Sequence, residues 1–158
     1  MAEQIFIVED GTLTKFKTDE FIEEVYIPDC VSQIGWRAFY EALVGRVVIP
    51  DSVTVIEEEA FLDCWIREIE IPDSVSTIET CAFAGCEALG EITIPESVTS
   101  IGLWAIGYRK LLFLPHWDPV PIGGPVIIYG KRGSEAERYT RENHYRSCKH
   151  VTEFREIV

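Results

Sequence analysis

Five prolines stand at a nearly fixed spacing, and that spacing limits the chain to very few architectures. Pro28, Pro50, Pro72, Pro95 and Pro115 follow one another at intervals of 22, 22, 23 and 20 residues. A period of this size marks a solenoid, in which no unit can bury its own apolar face and each must stack on a neighbour. Aligning the chain on these prolines produces five inward columns. Ile27, Ile49, Ile71, Ile94 and Leu114 form the first. Val31, Val53, Val75 and Val98 form the next, then Ile34, Ile56, Ile78 and Ile101. Ala38, Ala60, Ala82 and Ala105 follow, and Phe39, Phe61, Phe83 and Ile106 complete the set.

Each part of the unit has a physical role, clearest at Cys86–Ile106. Ile92-Thr93-Ile94 alternates in, out, in, the period of a strand. Strands are therefore expected near 25–27, 47–49, 69–71, 92–94 and 112–114. The proline has no N–H for a ladder and its fixed φ suits the second position of a tight turn, so each strand stops there. Glu96-Ser97 supplies polar turn residues, and Val98 and Ile101 bring the chain back over the core. The small alanine lets coils approach, and phenylalanine fills the space between layers.

These residues resemble a known family. The phrase Cys86–Ile106, with the Ile-Pro-Asp-Ser-Val…Ile…Ala-Phe wording of 49–61 and 71–83, is similar to the BspA-like leucine-rich repeat, over roughly residues 5–145. The resemblance implies a β-rich α/β solenoid: a short leucine-rich repeat, right-handed coil with an N-terminal β-hairpin cap and a C-terminal helix cap. A single domain over 1–158 is expected, with the N-terminal cap at 1–24 and repeats at 25–114. Residues 115–158 then make a degenerate last coil and a helical cap.

The caps have their own signals. Asp10-Gly11 between the apolar runs Ile5–Val8 and Leu13–Phe16 predicts a hairpin turn. Such a hairpin would close the open edge of the first rung. After the proline-rich 115–125 stretch, Val126–Tyr129 reads as a last strand. Ser134 with Glu137 three residues on reads as a capping box opening a helix, with Arg138, Arg141 and His144 toward its C-terminal end. Residues 151–158 read as a final strand or a frayed end.

The net charge of −13 lies in one half of the chain. Residues 1–79 carry 18 acids and 5 bases, residues 80–158 nine of each. This argues against nonspecific binding to nucleic acid or anionic lipid and admits a basic protein partner. No apolar run approaches the ~18 residues of a membrane span. Met1-Ala2-Glu3-Gln4 has no signal-peptide character. The expected location is cytoplasmic, the alternative being secretion or surface display after removal of a signal peptide. The five scattered cysteines make no disulfide framework. Cys64 and Cys86 share a repeat position and are read as stacked buried thiols, a bridge between them being the alternative.

Catalytic chemistry finds little support. His144, Cys148 and His150 match no strong zinc signature and read as a polar cap surface. Gly123-Gly124 lacks the ending of a phosphate loop. Ser52, Ser74 and Ser97 are turn residues at a repeat position. Glu57-Glu58-Glu59, Glu68 and Glu70 read as a solvated face. No enzyme activity, catalytic residue, cofactor or metal is expected.

The positions that the repeat leaves free carry the functional reading. Tyr26, Val48, Glu70, Thr93, Phe113 and Ile127 are expected to point outward in one column, with Glu24, Arg46, Glu68, Glu91 and Leu111 in the next. Tyr26, Arg46, Val48, Glu68, Glu70, Glu91, Thr93, Leu111, Phe113 and Trp117 are thus the candidate partner-binding residues on an extended solenoid face. Leu111, Phe113 and Trp117 form its apolar end, unless the proline-rich loop buries them. A second free column pairs Trp36-Arg37, Glu58-Glu59, Thr80-Cys81 and Leu103-Trp104. Its tryptophans are expected to shield coil edges or to make contacts, while Trp65 is expected to pack within its own coil. Two functions fit: a non-catalytic protein-binding scaffold, or an acidic inhibitor imitating nucleic acid that blocks a basic nucleic-acid-binding enzyme.

Overall fold

The computed structural model describes residues 4–109, 120–121, 125–142 and 152–157. A hairpin comes first, β1 (Ile5–Glu9) antiparallel to β2 (Thr12–Lys17). Its turn places Asp10 and Gly11 at φ of 49° and 78°, a backbone twist that matches the flanking strands. Four coils follow, each with a long strand and a two-residue strand. They are β3 (Ile22–Tyr26) and β4 (Gln33–Ile34), β5 (Val44–Val48) and β6 (Val55–Ile56), β7 (Glu68–Glu70) and β8 (Thr77–Ile78), and β9 (Glu91–Thr93) and β10 (Ser100–Ile101). A small antiparallel pair joins β11 (Tyr108–Arg109) to β12 (Val120–Pro121). The described chain ends with β13 (Val126–Gly130), α1 (Glu135–Glu142) and β14 (Thr152–Glu156).

The result is a β-solenoid with, among the described residues, one short C-terminal helix, as the resemblance implied. One six-stranded sheet runs β14-β13-β9-β7-β5-β3 and the other β1-β2-β4-β6-β8-β10. The core lies between them. All described members of the five columns are buried, and two further inward columns join them, Ile22–Val44–Ile66–Leu89 and Val25–Val47–Ile69–Ile92–Ile128. Phe39, Phe61 and Phe83 stack with ring centroids 4.8 and 5.0 Å apart. Phe16 and Phe6 of the hairpin extend the stack at 4.9 and 5.1 Å. Each such pair adds about 0.5–1.5 kcal/mol beyond area burial, so the hairpin is held by the same column that holds the coils.

Several expectations are corrected. The long strands end one residue earlier than expected, at Tyr26, Val48, Glu70 and Thr93; Ile27, Ile49, Ile71 and Ile94 form the buried corner that follows. The proline opens the turn rather than taking its second position. The Val31, Val53, Val75 and Val98 N–H groups donate to the carbonyls of Pro28, Pro50, Pro72 and Pro95 at 3.0–3.2 Å. The hairpin does not cover β3. Its β2 pairs with β4, so it closes the short-strand sheet and leaves β3 at the edge of the other.

The rung beside β9 is β13: Ile94 N–H donates to Tyr129 O at 2.9 Å. The strand expected at 112–114, with Leu114 in the first column, lies outside the described residues. The helix cap is also built differently. Glu137 accepts from Gly133 N–H at 2.6 Å rather than from Ser134, and the buried Ser134 hydroxyl has no hydrogen-bond partner among the described residues. What docks α1 is Tyr139, whose hydroxyl accepts from Ile106 N–H and donates to Ile106 O at 2.9 and 3.1 Å.

One backbone feature has no counterpart in the sequence reading. Arg37, Glu59, Cys81 and Trp104 share a repeat position and all have φ between 53° and 57°. Glu41, Asp63, Gly85 and Gly107 share another, also at positive φ. Left-handed backbone costs a non-glycine residue about 1 kcal/mol or more. The repeat tolerates it because each turn is tied to the next coil, as in Glu59 N–H to Thr80 O at 3.1 Å and Asp63 N–H to Ala84 O at 2.8 Å.

Candidate binding face

The outward face of the long-strand sheet is set by strand alternation. Val25, Val47, Ile69 and Ile92 point into the core, so their neighbours point out. Register places Glu24, Arg46 and Glu68 side by side, and Tyr26, Val48, Glu70 and Thr93 likewise. Tyr26 is 62% exposed. Glu68, Glu70, Glu91 and Thr93 are exposed; Arg46 and Val48 are half-buried. Ile127 is corrected by one step: it pairs with Glu91, and Tyr129 takes the place beside Thr93. Leu111, Phe113 and Trp117 lie outside the described residues.

Of these, Glu24, Arg46, Glu68, Glu70, Glu91 and Thr93 line a groove of about 860 Å³ together with Glu23, Arg67 and Asp73, while Tyr26 and Val48 lie outside its lining. Six carboxylates face two guanidiniums there (Glu23, Glu24, Glu68, Glu70, Asp73 and Glu91 against Arg46 and Arg67), so the groove is strongly anionic. Arg46 sits in the middle and faces three carboxylates, Glu24 at 3.0 Å, Glu68 at 3.3 Å and Glu70 at 3.6 Å. Tyr26 donates its hydroxyl to Glu24 at 2.7 Å. That hydrogen bond, with the carboxylate charge behind it, pushes the Tyr26 phenol above its ordinary range and keeps it a donor.

Beside the groove lies a column that sequence reading missed. Phe21, Leu43 and Trp65 are 22 residues apart and 47%, 51% and 49% exposed. Trp65, expected to pack within its own coil, leaves about half of its surface in water. The signal was the same 22-residue period, one position before the buried column Ile22, Val44 and Ile66. The Arg67 guanidinium lies over the Phe21 ring at 5.8 Å and pairs with Glu23, which joins this column to the groove.

Acidic residues on the opposite flank are structural. Glu59 is not part of a solvated face: it is buried and pairs with Arg37 at 2.6 Å. Glu57 and Glu79 accept from Trp36 N–H and Glu58 N–H, at 2.9 and 3.0 Å, in the preceding coil. Arg37 also lies over the Trp36 and Tyr40 rings at 4.7 and 5.2 Å. Trp36 stands out from the surface, whereas Trp104 packs on Leu62, Cys81 and Ala84.

Cys64 and Cys86 are buried and unbridged, and burial pushes both thiols up. The Cys86 thiol donates to Phe61 O at 3.1 Å. Ser52 donates to Val31 O at 2.6 Å, a turn role. Among the described residues no group of three His, Cys, Asp or Glu side chains could hold a metal, and no helix is long and apolar enough to cross a membrane. His144, Cys148, His150 and Gly123-Gly124 lie outside the described residues.

Solved structures share the fold. A leucine-rich repeat protein from Bacteroides ovatus is 30% identical with a TM-score of 0.53; the match covers 82% of this chain and 36% of that one, so this chain spans little more than a third of its length. A T. pallidum leucine-rich repeat protein is 20% identical with a TM-score of 0.51, covering 92% of this chain and 94% of its own. The pneumococcal vaccine antigen PcpA is 14% identical with a TM-score of 0.53, covering 95% of this chain and 45% of its own. The last two are alike in fold alone. No curated protein matches by sequence. A family model described as the BspA type leucine rich repeat region matches residues 14–117 in six copies, more than half of the sequence. With its repeating Ile-Pro corners and stacked phenylalanines, the chain belongs to the BspA-type leucine-rich repeat family.

Proposed function

We propose that this protein is a non-catalytic scaffold that binds another protein on the outward face of its long-strand sheet. Leucine-rich repeats serve in protein interaction generally, and solenoids bind along extended faces. The observation that carries the reading is the anionic groove around Arg46, with exposed Tyr26 hydrogen-bonded to Glu24 of its lining. A tyrosine with a fixed donor beside a preorganised arginine is the side-chain chemistry that anchors interfaces. The excess of carboxylates selects a partner that is basic where it touches.

The second reading, an acidic inhibitor imitating nucleic acid, draws on the charge of residues 1–79. Arg46 weighs against it. A phosphate mimic needs an unbroken run of negative charge, and Arg46 interrupts the column between Glu24 and Glu68. The test recovers a partner from the native host, then compares Tyr26→Ser with the double change Glu68→Lys plus Glu70→Lys. A scaffold loses about tenfold in affinity on Tyr26→Ser. An inhibitor of the second kind instead ignores Tyr26→Ser and is released by charge reversal and by salt at about 0.5 M.

A further inference from the structure

We infer that Phe21, Leu43 and Trp65 form an apolar ledge which, with the anionic groove beside it, docks a cationic amphipathic helix lying along the solenoid axis. The inference deepens the protein-binding reading and rests on it. Three successive rungs each place a large apolar side chain at the same position and leave about half of it in water. Backbone bonds hold these rungs in register: Ile22 N–H donates to Leu43 O at 3.0 Å and Trp65 N–H to Ala42 O at 2.9 Å. A contiguous apolar stripe containing two aromatics, rimmed by charge, has the composition of an interface centre.

Spacing selects the occupant's conformation. Neighbouring rungs are about 4.8 Å apart, so the ledge presents its three side chains over about 10 Å. A helix rises about 5.4 Å per turn, and residues i, i+4 and i+7 cover about 10.5 Å. An extended strand places same-face residues nearly 7 Å apart and runs out of register at the third. Charge selects the occupant's chemistry. Glu23, paired to Arg67 over the Phe21 ring, marks the border between ledge and groove. Lysines or arginines flanking a helix's apolar stripe would meet Glu24, Glu68 and Glu91 across that border. The protein's own α1 is no candidate for a second copy: its sequence, Glu-Ala-Glu-Arg-Tyr-Thr-Arg-Glu, is net acidic and its apolar side is buried.

The probe is a labelled synthetic peptide of about 18 leucines and lysines patterned at the helical period, beside a scrambled peptide of the same composition. Binding is read by fluorescence anisotropy and by the change in tryptophan emission. The patterned peptide is expected to bind at least tenfold more tightly than the scrambled one. Leu43→Ser and Trp65→Ser, each checked for fold by circular dichroism, are expected to remove that tenfold preference. Glu68→Lys plus Glu70→Lys is expected to weaken both peptides. Equal binding of the two peptides, or a preference that survives both serine variants, overturns the helix dock. Loss of the helix dock leaves the protein-binding reading standing so long as Tyr26→Ser still weakens the native partner about tenfold; that reading falls separately, when Tyr26→Ser leaves the native partner's affinity unchanged.

Discussion

The Arg67 guanidinium lies 2.5 Å from the Glu23 carboxylate, 44 positions earlier, and reaches it across the rung that carries Gly45. The intervening residue has to be glycine. A Cβ on Gly45 would stand 2.7 Å from Glu23 O, 2.8 Å from Arg67 Nη2 and 3.3 Å from Phe21 Cζ. The missing side chain therefore lets two rungs meet over a third and seats the cation at the border of ledge and groove.

That relationship gives a prediction with an unequal pair of outcomes. Arg67→Ala removes an exposed ion pair and is expected to cost at most about 1 kcal/mol. Gly45→Ala adds one methyl group but pushes on backbone, and is expected to cost about 1–3 kcal/mol. Urea melts of the two variants check this. Equal midpoints would show that the close approach at Gly45 is not a constraint.

Column burial predicts a second contrast. Ile71 is buried in a stack between Ile49 and Ile94, whereas Thr93 points out. Ile71→Asp places an unpaired charge in that stack and is expected to cost several kcal/mol, comparable to the stability of a whole domain. Thr93→Asp is expected to change the melting temperature by a degree or two at most, on the order of 0.5 kcal/mol.

Thiol chemistry separates the cysteines by depth. Cys30 is exposed, whereas Cys64 and Cys86 are buried with their thiols pushed up by burial. Because the thiolate is the reactive form, Cys30 is expected to react with a thiol reagent in the native protein. Cys64 and Cys86 should react only after denaturation. Mass spectrometry of protein labelled before and after unfolding reads this directly, and a Cys64–Cys86 disulfide in non-reduced peptide maps would contradict it.

Acid weakens the helix cap through Glu135. The Arg138 guanidinium, and then the Ile101 N–H at 3.1 Å, hold its carboxyl below the usual range. A carboxyl that titrates lower when folded contributes stability above its unfolded pKa of about 4.3 and loses it as pH falls through the lower, folded value. Glu135→Gln is expected to lower the melting temperature at pH 7, with a gap to the wild type that narrows below about pH 4. A gap that stays constant from pH 7 to acid would refute the linkage.

Residues one period apart share an environment, so the sequence by itself determined the coil, the described buried columns and the outward positions on β3, β5, β7 and β9. Val53 and Val75 meet the same neighbours because each rung is the other's wall. The helix was also legible from its local pattern. Lateral geometry was not. That β2 covers β4 rather than β3, and that β13 stands beside β9, depends on where loops of unequal length bring the chain back. Periodicity does not encode that. Glu59 looks like surface in a run of three glutamates, yet a positive φ turns it inward to Arg37, and residue type alone seldom announces a left-handed backbone. The ledge of Phe21, Leu43 and Trp65 was written in the same 22-residue period as the core. Only the folded coil decided that these three stay half in water, because the buried places beside them are taken by the next residues, Ile22, Val44 and Ile66.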